Sequence, residues 1–150
     1  MNAPALSTSK AELERIFALQ SEQQWTVRRR SAEERIEQLQ KLRASIEKHE
    51  PEVKAALYKD LRKGEDNAQG EIDGCYTDID DAIANLSNWM APVEVETTPA
   101  FADGKAKMVY EARGVVLLFG PWNFPFVLVF QPLVPIIAAG NCAMVKPNEM

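Results

Sequence analysis

From Gly114 to Val145 the chain carries no Asp, Glu, Lys, Arg or His, and every charged residue except Lys146 and Glu149 lies before Gly114. A polypeptide divided in this way needs a polar, solvated part to cover an apolar one. The uncharged segment opens with the run Val115 to Phe119, turns through Gly120-Pro121-Trp122-Asn123-Phe124-Pro125, and continues as an apolar stretch to Gly140. It then ends in Asn141 to Val145. A short apolar run bounded by turn residues is the pattern of a strand covered on both faces, as in a parallel sheet. Gly140 suits the stop of a helix. The segment therefore reads as strand, helix, strand, the crossover unit of parallel sheets. Pro132 and Pro135 leave two readings of the helix: it begins near Pro132, or it contains both prolines and is kinked.

The length of the uncharged segment invites a transmembrane reading. Pro121, Pro125, Pro132 and Pro135, the polar Asn123, Gln131 and Asn141, and the scarcity of flanking basic residues argue against it. No membrane span is expected.

The first 113 residues hold the whole net charge of −5 and read as helical. Ser9 to Glu12 and Ser31 to Glu34 have the capping-box form. Ile36, Leu39, Leu42 and Ile46 recur at helical spacing, and Pro51 is expected to open a further helix bearing Val53, Leu57 and Leu61. Ile72, Cys75/Tyr76, Ile79, Ile83, Leu86 and Trp89/Met90 form the clearest stripe, broken by Pro92. Each helix is expected to bury one face and wet the other. Val93 to Glu96 and Ala106 to Arg113 read as two strands joined by a loop rich in turn residues, either a protruding oligomerisation arm or a hairpin against the helices. The resulting organisation is α/β: a helical part over 1–92, a β arm over 93–113, and over 114–150 the first β-α-β unit of a doubly wound, Rossmann-like sheet. One such unit is an incomplete fold, and its last strand would carry an unpaired edge.

At 150 residues with 46% hydrophobic content, the chain can bury a sizeable core. Its acidic balance, with Glu and Asp interleaved among Lys and Arg, speaks against a nucleic-acid partner. Arg28, Arg29 and Arg30 are more simply the charged start of a helix. The N-terminus lacks the features of a signal peptide, so a cytoplasmic protein with two reduced thiols is expected. No His/Cys cluster indicates a metal site. His49 reads as a surface residue. Cys142, within an apolar strand, and Cys75, on a helical stripe, read as inert core thiols rather than nucleophiles.

In open parallel sheets, ligands sit beyond the carboxyl ends of the strands. Both strands here end in chemically distinctive turns, Gly120 to Pro125 and Lys146 to Glu149. The first lacks the glycine pattern of a phosphate cradle but is stiff. Pro121 and Pro125 fix φ and push their predecessors toward extended geometry, so Asn123 is an amide held between two rigid points. Such a donor can stabilise a developing oxyanion. It can equally bond its own backbone, as turn asparagines commonly do. Lys146 reads as a solvated charge or a ligand contact. Glu149 reads as a helix cap, or as the acidic residue that takes ribose hydroxyls at the second strand end of a dinucleotide unit.

Together "GVVLLFGPWNFPF", "PLVPIIAAGN" and "MVKPNE" resemble the aldehyde dehydrogenase superfamily, most closely its class 3-like branch. The likeness extends upstream through "HEPEVKAALYKDLRK", the helix containing "EID", and "LSNWMAPVEVETTP". The resemblance implies the N-terminal portion of an enzyme that oxidises an aldehyde to a carboxylic acid with NAD or NADP. It implies that Asn123 is the oxyanion-hole amide, that Lys146 and Glu149 hold the adenosine ribose, and that Pro121 and Trp122 pack near the nicotinamide end. The charge of Glu149 tilts the expectation toward NAD. The arm around Val93–Val95 and Ala106–Glu111 resembles strands that family members use to dimerise, so a homodimer is expected of the full-length protein. Asn148 stands where serine is commoner, and Glu111 to Gly114 replaces a more usual proline-containing lead. The family's nucleophilic cysteine and general-base glutamate belong to segments beyond residue 150, so the chain alone is expected to be inactive. The competing reading is a non-enzymatic helical interaction module, which explains the amphipathic stripes but not the rigid turn.

Overall fold

A computed structural model of the chain describes residues 8–148. Helix α1 (Lys10–Val27) is followed by α2 (Ala32–Leu61) and α3 (Glu65–Met90). Strands β1 (Val93–Val95) and β2 (Ala106–Met108) enclose a single 3-10 turn at Pro99–Phe101. Strand β3 (Val115–Phe119), helix α4 (Val127–Ala138) and strand β4 (Cys142–Lys146) complete the order.

The starts of α1 and α2 are written in the sequence as side-chain caps. At Ser31 the capping box is complete: its Oγ accepts the Glu34 amide at 3.3 Å, and the Glu34 carboxylate accepts the Ser31 amide at 2.7 Å. At Ser9 only half forms. The hydroxyl accepts from the Glu12 amide, but the Glu12 carboxylate is drawn away to Arg15, with two 2.8 Å contacts.

Pro51 does not open a new helix; it lies inside α2. A mid-helix proline removes one hydrogen bond and costs about 3 kcal/mol. Here packing offsets that cost, because Leu39, Ile46 and Leu57 are buried on a face that stays in register only if the helix is continuous. Lys54 bridges across the proline to Glu50 at 2.8 Å and reaches Glu65 of α3 at 2.9 Å. The helix ends where Arg62 adopts a left-handed conformation, φ 55°, which reverses the chain into α3.

Helix α3 buries Ala68, Ile72, Cys75, Ile79, Ala82 and Leu86, alternating steps of four and three that keep one stripe inward. The core lies where this stripe meets α2 and α4, with Leu39, Ile46, Val134 and Ala138 completing it. By contrast α1 buries no residue. It lies against β3 and β4 and leaves Leu13, Phe17, Leu19 and Trp25 largely exposed. The expected one-sided burial therefore fails for this helix: it packs only against a narrow two-stranded sheet.

β3 and β4 pair in parallel from Val115↔Cys142 to Phe119↔Lys146, with α4 as the crossover. The helix begins at Val127 and contains both Pro132 and Pro135, which decides between the two readings of its start. The strand β3 is not covered on both faces, since Leu117 is 57% and Phe119 64% exposed. β1 and β2 form a separate antiparallel ladder, Val93↔Met108 to Val95↔Ala106. Pairing stops at Met108, short of the expected Arg113. Among the described residues, no helix or other strand packs on this ribbon, and no helix is long and apolar enough to cross a membrane.

Candidate functional site at the carboxyl edge of the parallel strands

Parallel register brings the two distinctive turns together. Phe119 pairs with Lys146, and the Gly120 amide donates to the Lys146 carbonyl at 2.9 Å. The turn carrying Pro121, Trp122 and Asn123 therefore departs from the sheet beside the end of β4. Gly120 is required by close approach: a Cβ there would overlap Val129 Cγ2 and lie 3.7 Å from Pro147 Cα. Trp122 and Asn123 are exposed, and Pro121 is half-buried. Among the described residues the Asn123 carboxamide makes no hydrogen bond, so it is not folded back onto neighbouring peptides. Lys146 is exposed, and its Nζ donates to the Pro147 carbonyl at 3.1 Å. Glu149 lies outside the described residues.

The far side of the turn is held by residues that sequence reasoning passed over. Glu71 of α3 is 2% exposed, and its Oε2 accepts from the amides of Phe126 at 3.2 Å and Val127 at 3.0 Å. These are among the amides left without intrahelical partners at the start of α4, and the positive end of the helix dipole favours a carboxylate there. Oε1 of Glu71 accepts from Lys63, whose Nζ also stands 3.7 Å from the centroid of the Phe124 ring. Gly74, one turn along α3, lets α4 come close: a Cβ would sit 3.3 Å from Val127. At the opposite end of α4, the buried Arg35 guanidinium donates to the carbonyl of Ala138 at 2.9 Å and to that of Arg28 at 2.9 Å. Burial lowers its pKa from the usual arginine value, and arginine remains protonated. A sequence signal existed for both residues, because each is a charge lodged in an apolar stripe, Glu71 beside Ile72 and Arg35 beside Ile36.

Neither thiol is poised as a nucleophile. Burial pushes Cys75 up to about 12, with the charges of Asp78 and Glu71 adding to the effect, and its Sγ donates to the Glu71 carbonyl. Burial also raises Cys142, partly countered by Arg30.

The chain matches the model of the aldehyde dehydrogenase family over residues 3–150. It is 39% identical over 122 residues to aldehyde dehydrogenase family 3 member H1 of Arabidopsis thaliana, an alignment of 81% of this chain with 25% of that protein. It is 41% identical over 117 residues to the dimeric NADP-preferring aldehyde dehydrogenase of Canis lupus familiaris, covering 77% of this chain and 26% of that one. The solved substrate-bound state of Staphylococcus aureus AldH superposes with a TM-score of 0.86 at 34% identity, over 99% of this chain and 31% of that chain. The chain thus spans 25% to 31% of the length of these proteins. With its strand-end turns, its crossover helix and these matches, the chain belongs to the aldehyde dehydrogenase family, with family 3 members among its relatives.

Proposed function

We propose that the chain is the N-terminal portion of an NAD(P)-dependent aldehyde dehydrogenase, and that Asn123 donates to the aldehyde oxygen as it gains negative charge. The observation that carries this reading is the exposed Asn123 carboxamide, presented beyond the parallel strand ends on a turn anchored on both sides. The overall conversion takes an aldehyde, water and oxidised cofactor to a carboxylic acid, reduced cofactor and a proton. The cofactor supplies the hydride acceptor. The residues present suit a dinucleotide: Lys146 offers an exposed cation at a strand end, and Trp122 an exposed ring next to Asn123. Lys146, with Glu149, would hold the adenosine ribose, and Pro121 and Trp122 would flank the nicotinamide end. The charge of Glu149 favours NAD over NADP, although the canine relative is named NADP-preferring. The exposed β1–β2 ribbon would serve a homodimer.

Addition of a nucleophile to the aldehyde carbonyl places charge on oxygen. A fixed amide hydrogen bonds that oxygen more strongly in the transition state than in the substrate, which lowers the barrier. In the complete enzyme, Asn123→Ala is expected to reduce kcat by about 10²-fold or more, with cofactor affinity little changed. Steady-state kinetics with a cofactor titration test this; an unaltered kcat would sink the oxyanion assignment. Residues 1–150 produced alone should show no NAD(P)-linked aldehyde oxidation, because neither thiol here is activated.

A further inference from the structure

We propose that Glu71, together with Lys63, is a positioning residue that sets the aim of the Asn123 carboxamide. The proposal rests on the oxyanion reading of Asn123 and goes further, to the helical layer that holds the turn.

Glu71 sits in an apolar interior, where an ionised carboxylate is costly unless it is fully hydrogen-bonded. It accepts three donors: the amides of Phe126 and Val127 and the ammonium of Lys63. Two of these belong to the segment that follows Asn123. The third reaches the same segment by another route, since the Lys63 ammonium lies over the ring of Phe124, the residue next to Asn123. On the other side, Gly120 is tied to Lys146 through its amide. Asn123 thus lies midway in a segment fixed at Gly120 and at Phe126, with Pro121 and Pro125 stiffening both halves. The Phe124 carbonyl already accepts from Leu128 at 3.2 Å, so helical winding begins immediately after Asn123.

Helix capping alone would not require this arrangement. A neutral side chain can accept amide hydrogens at an N-terminus, whereas an ammonium paired with a buried carboxylate and stacked on Phe124 links the cap to the turn itself. A change of about 1 Å in a catalytic group's position can cost about 10²-fold in rate, so loosening this link should be felt in turnover.

The experiment is a double-mutant cycle in the complete enzyme. Glu71→Gln is nearly isosteric but turns an amide toward Lys63. It should lower kcat by roughly 10-fold, leave the aldehyde KM and cofactor affinity within about 2-fold, and speed hydrogen exchange at the Phe126 and Val127 amides. Added to Asn123→Ala, it should lower kcat by less than about 2-fold further, because the group it aims has already gone. Lys63→Gln, at a less deeply buried position, provides a second route should Glu71→Gln fold poorly, with a smaller loss and the same non-additivity expected. Arg35→Met loosens the opposite end of α4, and its effect on kcat should multiply with that of Asn123→Ala. Equal losses from Glu71→Gln, or from Lys63→Gln, with and without Asn123 would overturn the positioning role. So would unchanged kcat accompanied by faster amide exchange. An Asn123→Ala enzyme with normal turnover would instead refute the oxyanion assignment, and with it the positioning role, while the exchange data would still report the physical link between Glu71 and the turn.

Discussion

Cys75 illustrates what burial does to a reactive group. Enclosed in the α2–α3–α4 core, its thiol is raised to about 12, chiefly by desolvation. In the unfolded chain a cysteine ionises near pH 8.5. Because the folded pKa is the higher one, the neutral thiol contributes stability that is fully present below the unfolded value and lost as pH rises toward the folded value. The stability advantage of the protein over its Cys75→Ala variant should therefore shrink by up to about 1.4 kcal/mol per pH unit above roughly pH 9. Denaturant unfolding of both proteins at pH 7 to 10.5 measures it; a constant difference would contradict the assigned shift. The thiol should also resist alkylation at pH 8 until the protein is unfolded. The burial of Cys75 was legible in the sequence, because its helical stripe is apolar, whereas Cys142 is half-buried rather than a core thiol, and Arg30 partly offsets the rise that burial gives it.

At the scale of elements, α4 is the unusual piece. It has no charged residue of its own and contains two prolines, so its backbone ladder is interrupted and its dipole is uncompensated from within. Both defects are met from outside: Glu71 takes the amides at its start, and Arg35 takes a carbonyl at its end. The signs match the helix dipole at each terminus. Gly140 makes the second contact possible. Its φ is +78°, and a Cβ would fall 2.6 Å from the Arg35 guanidinium carbon. Gly140→Ala should therefore strain the backbone and displace Arg35 from the Ala138 carbonyl, with a cost of about 2–4 kcal/mol. Thermal or chemical denaturation reads this directly, and a loss below about 0.5 kcal/mol, the range of unremarkable surface changes, would mean that Arg35 moves aside freely. Helix α2 shows the converse case. Pro51 suggests a boundary locally, yet the aligned burial of Leu39, Ile46 and Leu57 carries the helix through it.

For the molecule as a whole, the described residues leave a two-stranded parallel sheet with no further strand on either edge, the Gln20 side-chain amide donating to the Ala143 carbonyl of β4 at 2.8 Å, and one face bearing Leu117 and Phe119 in the open. Parallel sheets are ordinarily covered on both faces, and unpaired edges template association. The ribbon adds exposed Val93, Val95 and Met108. Residues 1–150 produced in isolation should accordingly self-associate at micromolar concentration. Light scattering coupled to size exclusion checks this, and a monodisperse monomer would show that these surfaces are tolerated in water. In the proposed full-length enzyme the same surfaces would be covered by further strands and a partner subunit.

The sequence by itself determined what depends on near neighbours along the chain. Ser31 and Glu34 cap a helix three residues apart, the α3 stripe repeats every three or four residues, and two apolar runs separated by a helix pair in parallel. Its stiff turn and strand end also marked Asn123 and Lys146 as candidates, since these are local properties, whereas Pro121 and Trp122 became candidates through the family resemblance. Only the tertiary structure decided which charges serve the turn. Glu71 lies fifty-five residues from Phe126 and fifty-six from Val127, and Arg35 over a hundred from Ala138. No periodicity encodes such pairings, because they arise when helices from opposite parts of the chain pack and a buried charge must find its partners in whatever backbone lies there.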